Sequence, residues 1–241
     1  AVTLIQSNYG DPGNLELIAR TGDTLQFMWR DSGPDFNWNG PFQIAAGAAG
    51  NPVLLQSRFG SQGNFELVYP STGGGLSFMW RNNDDPSMPW SAPWQFAQGL
   101  GPVDAVTLIQ SNYGDPGNLE LIARTGDTLQ FMWRDSGPDF NWNGPFRMPV
   151  PEITLEAIQG GDGRVINVTG AYFSPSSQVS VAYDIFTGGA PDTHQTGEDT
   201  VSTAANGTFD DEIRVNLGGD ISGAAVRALD ESTQIPAVAS I

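Results

Sequence analysis

The sequence contains one 42-residue stretch twice, since residues 105–146 repeat residues 1–42 without a single change. A diverged third version lies between the two copies, at about residues 51–98, and keeps the same landmarks in the same order. The segments 63–67 and 78–81, for example, correspond to segments 13–17 and 27–30 of the first copy. A period of about 50 residues built from strand-like segments is typical of a radial or threefold β architecture.

Each repeat is predicted to contain four β-strands joined by turns rich in Gly, Asp and Asn. In the first copy we predict strands at residues 2–7, 14–20, 24–31 and 38–44, with a tight turn at Gly22. Apolar residues occupy both faces of these strands: Phe27 and Trp29 lie on one face of the third strand and Met28 on the other. Strands that are apolar on both faces indicate sheets stacked face to face around an axis, as in propeller blades.

We therefore predict an all-β protein with three four-stranded propeller-type blades, at about residues 1–48, 49–101 and 102–150. Closed propellers have about four to eight blades, so three blades leave two exposed sheet faces. We expect a second chain to complete a six-bladed ring. The alternative is a β-trefoil, which also uses three four-stranded units and needs only one chain.

The composition changes after Met148-Pro149-Val150-Pro151, and no tryptophan follows Trp142. Residues 151–241 contain six short strand-like segments separated by turn signals, which predicts an immunoglobulin-like β-sandwich. These segments are at 153–158, 165–169, 178–183, 200–203, 208–215 and 224–230. Segments 170–175 and 205–209 resemble bacterial immunoglobulin-like modules, which are commonly spacers or adhesion domains of extracellular proteins.

The charge and the chemistry-bearing residues exclude several functions. A net charge of −17, with arginine as the only basic residue type besides one histidine, opposes binding to nucleic acid. The absence of cysteine excludes disulfides and thiol chemistry, and no apolar run is long enough for a membrane span. The single histidine, His194, is predicted in a polar loop without a catalytic partner. We therefore expect no cofactor, no metal site, no membrane insertion and no enzyme.

A recurring charge pair is the first candidate feature of the repeats. Glu16 is predicted to lie opposite Arg30 across a hairpin, and the pairs Glu66/Arg81 and Glu120/Arg134 repeat this arrangement. Such a pair compensates two groups that would be costly to bury alone. In the alternative interpretation, these arginines donate hydrogen bonds to the hydroxyl groups of a ligand.

The second candidate feature is a tryptophan that follows a polar loop in every repeat, at Trp38, Trp90 and Trp142. Indole rings stack on the apolar faces of sugars, while short polar side chains and arginine bind sugar hydroxyls. Three polar residues end the third strand of each repeat and are predicted to reach solvent: Asp31, Asn82 and Asp135. The alternative is that these tryptophans pack the rim between blades.

The order Gly-Asn-Leu/Phe-Glu-Leu, Phe-Met-Trp-Arg and a later Trp resembles the blades of bacterial β-propeller lectins of the tectonin and fucose-binding type. The resemblance implies sugar sites between neighbouring blades. It therefore predicts a multivalent, extracellular or cell-surface, homo-oligomeric lectin that binds glycans, with the predicted carbohydrate-binding residues Trp38, Trp90, Trp142, Arg30, Arg81, Arg134, Asp31, Asn82 and Asp135. The alternative function is a non-catalytic scaffold of duplicated blades, either a fragment of a longer propeller or an engineered chain.

Overall fold

Each repeat folds into its own antiparallel sheet of four strands, taken in sequence order. The structure is a computed structural model that describes residues 1–159, 164–188 and 193–241, and it divides into the units Ala1–Met148 and Pro149–Ile241. Sheet I consists of β1 (Val2–Gln6), β2 (Leu15–Thr21), β3 (Thr24–Arg30) and β4 (Trp38–Ala45). Sheet II consists of β5 (Val53–Gln56), β6 (Phe65–Pro70), β7 (Leu76–Arg81) and β8 (Trp94–Phe96). Sheet III consists of β9 (Ala105–Gln110), β10 (Leu119–Thr125), β11 (Thr128–Arg134) and β12 (Trp142–Met148).

The hairpin between β2 and β3 sets the register of sheet I. Thr21 pairs with Thr24, and Gly22 between them has a φ of 61°, in the left-handed region that glycine enters without a Cβ penalty. Sheet II has a longer loop at residues 71–75, which contains two glycines with positive φ. The inserted residue is therefore accommodated in the loop, while the strands stay aligned between repeats.

Two short linkers connect the three sheets. Residues 46–52 join sheet I to sheet II, where the Ala48 N–H donates to Asp23 O (2.8 Å) and the Ala49 N–H donates to Pro70 O (2.8 Å). Residues 97–104 join sheet II to sheet III and include a single-turn 3-10 helix, Gln98–Leu100. The Asp104 N–H donates to Arg124 O (2.9 Å), which ties the end of this linker to sheet III.

Sheet II is buried on both faces because sheet I covers one and sheet III the other. Leu54, Phe65 and Leu67 pack with Ile18 and other residues of sheet I. On the opposite face, a second core joins sheet II to sheet III, with the buried members Phe59, Val68, Leu76, Phe78, Phe96, Leu108, Leu119, Leu121 and Met132. We call the face of each sheet that points towards the preceding repeat its front, and the face towards the following repeat its back.

The described residues of the second unit form seven strands in two antiparallel sheets. They are β13 (Glu152–Ile158), β14 (Val165–Ala171), β15 (Gln178–Gly188), β16 (His194–Ser202), β17 (Phe209–Arg214), β18 (Asp220–Asp230) and β19 (Pro236–Ser240). One sheet has the order β13-β14-β17 and the other β16-β15-β18-β19. Residues of both sheets, including Ile166, Val181, Ile213 and Val226, share one buried core.

The prediction of an all-β protein with four-stranded antiparallel repeat units is confirmed, and these sheets are consistent with propeller-like blades. The four strands of each repeat pair only with one another and form a separate sheet, which favours blades over the β-trefoil alternative. Two predictions for the second unit are wrong. β19 is a strand that the sequence patterns missed, and His194 begins β16 instead of lying in a loop. The described part of the chain has no helix suited to crossing a membrane.

Candidate functional site

Two pockets lie between neighbouring sheets of the first unit, at corresponding positions. Pocket I/II, between sheets I and II, is lined by Tyr9, Asn14, Glu16, Phe27, Trp29, Phe42, Ile44, Arg81, Pro86, Ser87, Met88 and Trp90. Pocket II/III, between sheets II and III, is lined by Phe59, Asn64, Glu66, Phe78, Trp80, Ser91, Ala92, Trp94, Arg134, Asp139 and Phe140. In both pockets, a glutamate from the back of one sheet faces an arginine from the front of the next.

The glutamate of pocket II/III is buried and held from two sides. Its Oε1 accepts a hydrogen bond from Ser57 Oγ at 2.9 Å, and its Oε2 lies 3.8 Å from a guanidinium nitrogen of Arg134. Burial raises the pKa of Glu66 to about 7, although Arg134 and Ser57 act in the opposite direction. Glu66 can therefore change its charge near neutral pH.

Pocket I/II repeats this arrangement with Glu16. Ser7 Oγ donates to Glu16 Oε1 at 2.9 Å, and the charge of Arg81 acts on the same carboxylate. Burial again raises the pKa of Glu16, with Ser7 and Arg81 opposing the shift. A serine ending the first strand and a glutamate in the second thus recur as a unit behind both pockets.

The predicted pairing of Glu16 with Arg30 inside one sheet is wrong, and so are the predicted pairs Glu66/Arg81 and Glu120/Arg134. In the observed register Glu16 is opposite Trp29, whereas Arg30 is opposite Leu15. Since side chains alternate between faces, this shift of one residue places the glutamate on the back of the sheet and the arginine on its front. The glutamate therefore meets the arginine of the following repeat.

The arginines of the two pockets lie over aromatic rings. The guanidinium carbon of Arg134 is 5.1 Å from the Phe59 ring centroid, 4.7 Å from that of Phe78 and 5.2 Å from that of Phe140. Arg81 lies 5.7 Å from the Tyr9 ring and 5.2 Å from the Phe27 ring. These distances fit cation–π attraction, which helps to hold a desolvated guanidinium. Burial lowers the pKa of both Arg81 and Arg134.

The rims of the two pockets differ. In pocket I/II the Trp29 indole lies between two rings, stacked with Phe27 at 5.7 Å and with Phe42 at 5.4 Å between centroids. In pocket II/III the corresponding positions are Trp80 and Trp94, which are 37% and 49% exposed. Among the described residues, no aromatic ring is stacked on either of these two indoles. Pocket II/III therefore presents free indole surface beside the carboxyl group of Asp139.

The three loop tryptophans predicted as sugar platforms occupy different surroundings. Trp142 stacks on Phe96 at 4.4 Å and packs against the core between sheets II and III. Trp90 contacts Phe27 edge to face at 5.6 Å and also lines pocket I/II. Trp38 is 50% exposed and lines neither pocket. Packing between sheets is thus evident for Trp142 and Trp90, and sugar binding by the three residues stays a prediction.

The other predicted site residues divide between pocket and loop. Arg81 and Arg134 line the pockets, whereas Arg30 lies on the open front of sheet I, 5.2 Å from the Phe36 ring. The three strand-end polar residues line neither pocket. Asp31 Oδ2 accepts from Asn39 Nδ2 (3.3 Å), and Asp135 Oδ2 accepts from Asn143 Nδ2 (3.2 Å). Asn82 Oδ1 accepts from the Asp84 N–H (3.1 Å). These side chains bond to residues of their own repeat, in the following loop or at the start of the fourth strand.

Sequence reasoning missed several pocket residues as site candidates. Glu16 and Glu66 were assigned to structural pairs, and the strand-four aromatic Phe42 was not assigned to a site. A usable signal was present, because the middle repeat has a tryptophan, Trp94, where the other two repeats have Phe42 and Phe146. Among the described residues, no cluster of three or more acidic or histidine side chains is placed to hold a metal ion.

Comparisons with known proteins give a limited result. No protein-family model matches the chain, and no curated protein matches it. A solved structure of an exo-β-1,3-galactanase variant from Phanerochaete chrysosporium, with β-1,3-galactotriose, matches with a TM-score of 0.42 at 10% identity. The match covers 98% of this chain and 79% of the galactanase chain. The resemblance to β-propeller lectins stays a prediction.

One expectation from the sequence needs correction. The lack of a catalytic constellation led us to expect that the chain is not an enzyme. That expectation is contradicted, since a solved structure that is similar to the chain is a galactanase. A TM-score of 0.42 assigns no activity, so the correction removes the exclusion and puts no catalytic role in its place.

Proposed function

We propose that the chain is a multivalent carbohydrate-binding protein, a lectin, whose sugars bind between neighbouring propeller-type blades formed by the four-stranded sheets. The observation that carries this proposal is the rim of pocket II/III. Two exposed indoles, Trp80 and Trp94, stand beside the short polar side chains of Asn64, Ser91 and Asp139. A sugar ring requires this combination, because its apolar face stacks on an aromatic ring while its hydroxyls need donors and acceptors.

The preferred ligands are neutral sugars. The chain has a formal net charge of −17, and the rim of pocket II/III contributes a carboxylate, so anionic sugars are repelled. The buried arginine of the pocket does not offset this effect, because Arg134 is engaged by Glu66 and three aromatic rings. Single-site affinities are expected to be millimolar to high micromolar, about −4 to −6 kcal/mol.

Calorimetric titration with neutral monosaccharides, fucose and galactose among them, tests the proposal. Trp80→Ala and Trp94→Ala are each expected to weaken binding at pocket II/III at least about tenfold, or about 1.4 kcal/mol, because the indole surface on which a sugar ring stacks is lost. Phe186→Ala is the control, since Phe186 is a comparably exposed aromatic residue of the second unit, 44% exposed. Unchanged titrations for both tryptophan variants, or no heat with any sugar, would contradict the proposal.

Glycoside hydrolysis is a second candidate function, favoured by one observation. Pocket II/III contains two carboxyl groups, those of Glu66 and Asp139, and the pKa of Glu66 is raised to about 7. A carboxyl group that titrates near neutral pH can serve as a general acid beside a second carboxylate. Analysis of oligosaccharides after incubation distinguishes the two functions: recovery of intact glycan supports the lectin, whereas cleavage that Glu66→Gln abolishes supports the hydrolase.

We also propose that the second unit is an immunoglobulin-like spacer and that the protein acts outside the cell or at its surface. Seven strands in a three-stranded and a four-stranded sheet around one core support the first part. The location is supported by the use of such modules in extracellular proteins. Immunogold labelling of intact source cells with an antibody against the chain tests it, and label confined to the cell interior would contradict it.

A further inference from the structure

The front of sheet I carries the residues that are buried in the other two sheets, but here they are open. Leu4 is 54% exposed, whereas the corresponding Leu54 and Leu108 are 4% and 7% exposed. Leu17 and Met28 are likewise only half-buried, although their counterparts in sheets II and III are buried. No sheet of the first unit covers this face as sheet I covers sheet II.

The back of sheet III is open in the same way. Tyr113 is 74% exposed, whereas Phe59 at the same position of sheet II is 8% exposed. Ile122, Leu129 and Phe131 are half-buried, although their counterparts on the backs of sheets I and II are buried. Apolar faces of this extent are expected to be covered by another surface in solution.

The two open faces carry complementary groups. Glu120 on the back of sheet III corresponds to Glu16 and Glu66, and Arg30 on the front of sheet I corresponds to Arg81 and Arg134. The arginines of sheets II and III contact rings of the preceding sheet, such as Phe27 and Phe78, whereas Arg30 is recorded over Phe36 of its own loop. The glutamate and rings that would complete the surroundings of Arg30 are on the back of sheet III.

The identity of the repeats makes this complementarity specific. The back of sheet III has the sequence of the back of sheet I, which packs on the front of sheet II. The front of sheet I has the sequence of the front of sheet III, which packs on the back of sheet II. The apolar groups of both open faces therefore have copies within the chain that pack against the corresponding faces of sheet II.

We propose that a second copy of this chain covers both open faces, with sheet III of each copy packed on sheet I of the other. Two copies then place six sheets in one ring, within the range of about four to eight blades that closed propellers use. A head-to-tail contact of this kind closes when the rotation between neighbouring sheets completes a full turn. Glu120 of one copy pairs with Arg30 of the other at each of the two junctions.

Each junction also completes a third kind of pocket. Sheet III contributes Tyr113, Trp133 and Phe146, which correspond to Tyr9, Trp29 and Phe42 of pocket I/II. Sheet I of the other copy contributes Arg30 and Phe36, which correspond to Arg134 and Phe140 of pocket II/III. This composite pocket is incomplete in a single copy. That it binds a sugar rests on the proposed function, whereas the pairing of the copies does not.

Light scattering coupled to size-exclusion chromatography tests the pairing. The chain at micromolar concentration is expected to have twice the 25.7 kDa mass of one copy. Leu4→Arg, Arg30→Glu and Glu120→Arg are each expected to halve that mass. These positions are exposed or half-buried in one copy, so the folded sheets should remain, as circular dichroism would show.

Mixing the two charge-reversal variants tests the pairing more specifically. The Arg30→Glu and Glu120→Arg chains repel as homodimers, but in a one-to-one mixture each junction regains one glutamate and one arginine, so the doubled mass should return. A wild-type chain at the single-copy mass, a ladder of larger masses, or a Leu4→Arg variant at the doubled mass would overturn the pairing.

Sugar titration of the same samples separates the two proposals. If the composite pocket binds, wild type should bind three sugars per chain and Leu4→Arg two. A doubled mass without any sugar binding would support the pairing and contradict the proposed function, whereas equal stoichiometry in both chains would exclude binding at the composite pocket.

Discussion

Sheets I and III are the same 42 residues in two different surroundings. The front of sheet III is covered by sheet II and the front of sheet I is not, so Leu108 is 7% exposed and Leu4 is 54% exposed. The backs show the reverse, because Glu16 is 2% exposed and Glu120 is half-buried. Whether a residue of this unit is buried therefore depends on the neighbouring sheet, and the sequence of its own repeat does not determine it.

The largest expected difference is between Arg134→Ala and Arg30→Ala, measured in the Leu4→Arg background, in which the proposed pairing of copies is expected to be lost. Above about pH 7, where Glu66 is ionised, removal of Arg134 leaves a buried carboxylate without its cation and should lower the free energy of unfolding by about 3 kcal/mol. Arg30→Ala should cost less than about 1 kcal/mol, since its side chain is partly exposed. Tryptophan fluorescence during urea unfolding measures both in the first unit, where all tryptophans lie. Equal unfolding midpoints for the two variants would show that the buried Arg134 contributes no more to stability than Arg30 does.

The next difference is between Leu108→Ala and Leu4→Ala, in chains that otherwise keep the native sequence and are measured below the concentration at which copies pair. Leu108→Ala should cost about 3 kcal/mol, because it creates a cavity between sheets II and III. Leu4→Ala should cost less than about 1 kcal/mol, because its side chain is mostly in solvent already. Thermal unfolding followed by tryptophan fluorescence checks this prediction, which fails if Leu4→Ala is the more damaging change.

The covered Glu66 should make the first unit less stable as the pH rises towards neutrality. The folded chain holds a proton on Glu66 up to about pH 7, while an ordinary glutamate releases it near 4.5, so unfolding releases a proton in this window. The free energy of unfolding should therefore fall by about 2 kcal/mol between roughly pH 5 and pH 7. Glu66→Gln should lack this component, and identical pH profiles for variant and wild type would contradict it.

The smallest expected effects concern the loop carboxylates and amide that sequence reasoning assigned to sugar binding. Asp31→Ala, Asn82→Ala and Asp135→Ala should each change sugar affinity less than about twofold, below about 0.5 kcal/mol, because these side chains bond within their own loops. Calorimetric titration checks this expectation against Trp80→Ala. A tenfold loss of sugar affinity in any of the three variants would indicate that the substituted residue contributes to the binding site.

The repeat pattern predicted most of the first unit because three aligned copies show which segments stay constant. The strands of sheet I agree with the predicted segments to within about a residue, and the turn glycine Gly22 has the positive φ that the turn requires. Strands that are apolar on both faces predicted the cover on both sides of sheet II. These features depend on neighbours within one repeat, which spacing in the sequence records.

The candidate site depends on neighbours from different repeats, and there the prediction was wrong. A shift of one residue in the hairpin register moves Glu16 to the opposite face from Arg30, and no pattern within the repeat reveals which arginine lies across the junction. The sequence shows a tryptophan, Trp94, at the position of Phe42, but it does not show that Phe42 stacks on Trp29 while Trp80 and Trp94 stay exposed. His194 belongs to a strand because it pairs with Phe186 of β15.

Because sheets I and III share 42 identical residues, the short linkers determine which copy packs on which face of sheet II. Sheet II packs on the back of one copy and on the front of the other, so exchanging the copies would preserve the contacts made within the 42 shared residues. Buried Ala45, Ala48 and Val103 lie outside those residues. The two arrangements of the unit would therefore share most of their contacts. They differ in the paths of residues 46–52 and 97–104, which are anchored at Ala49 and Asp104. The contacts determine which faces meet, and the linkers determine which of the two identical copies arrives at each face.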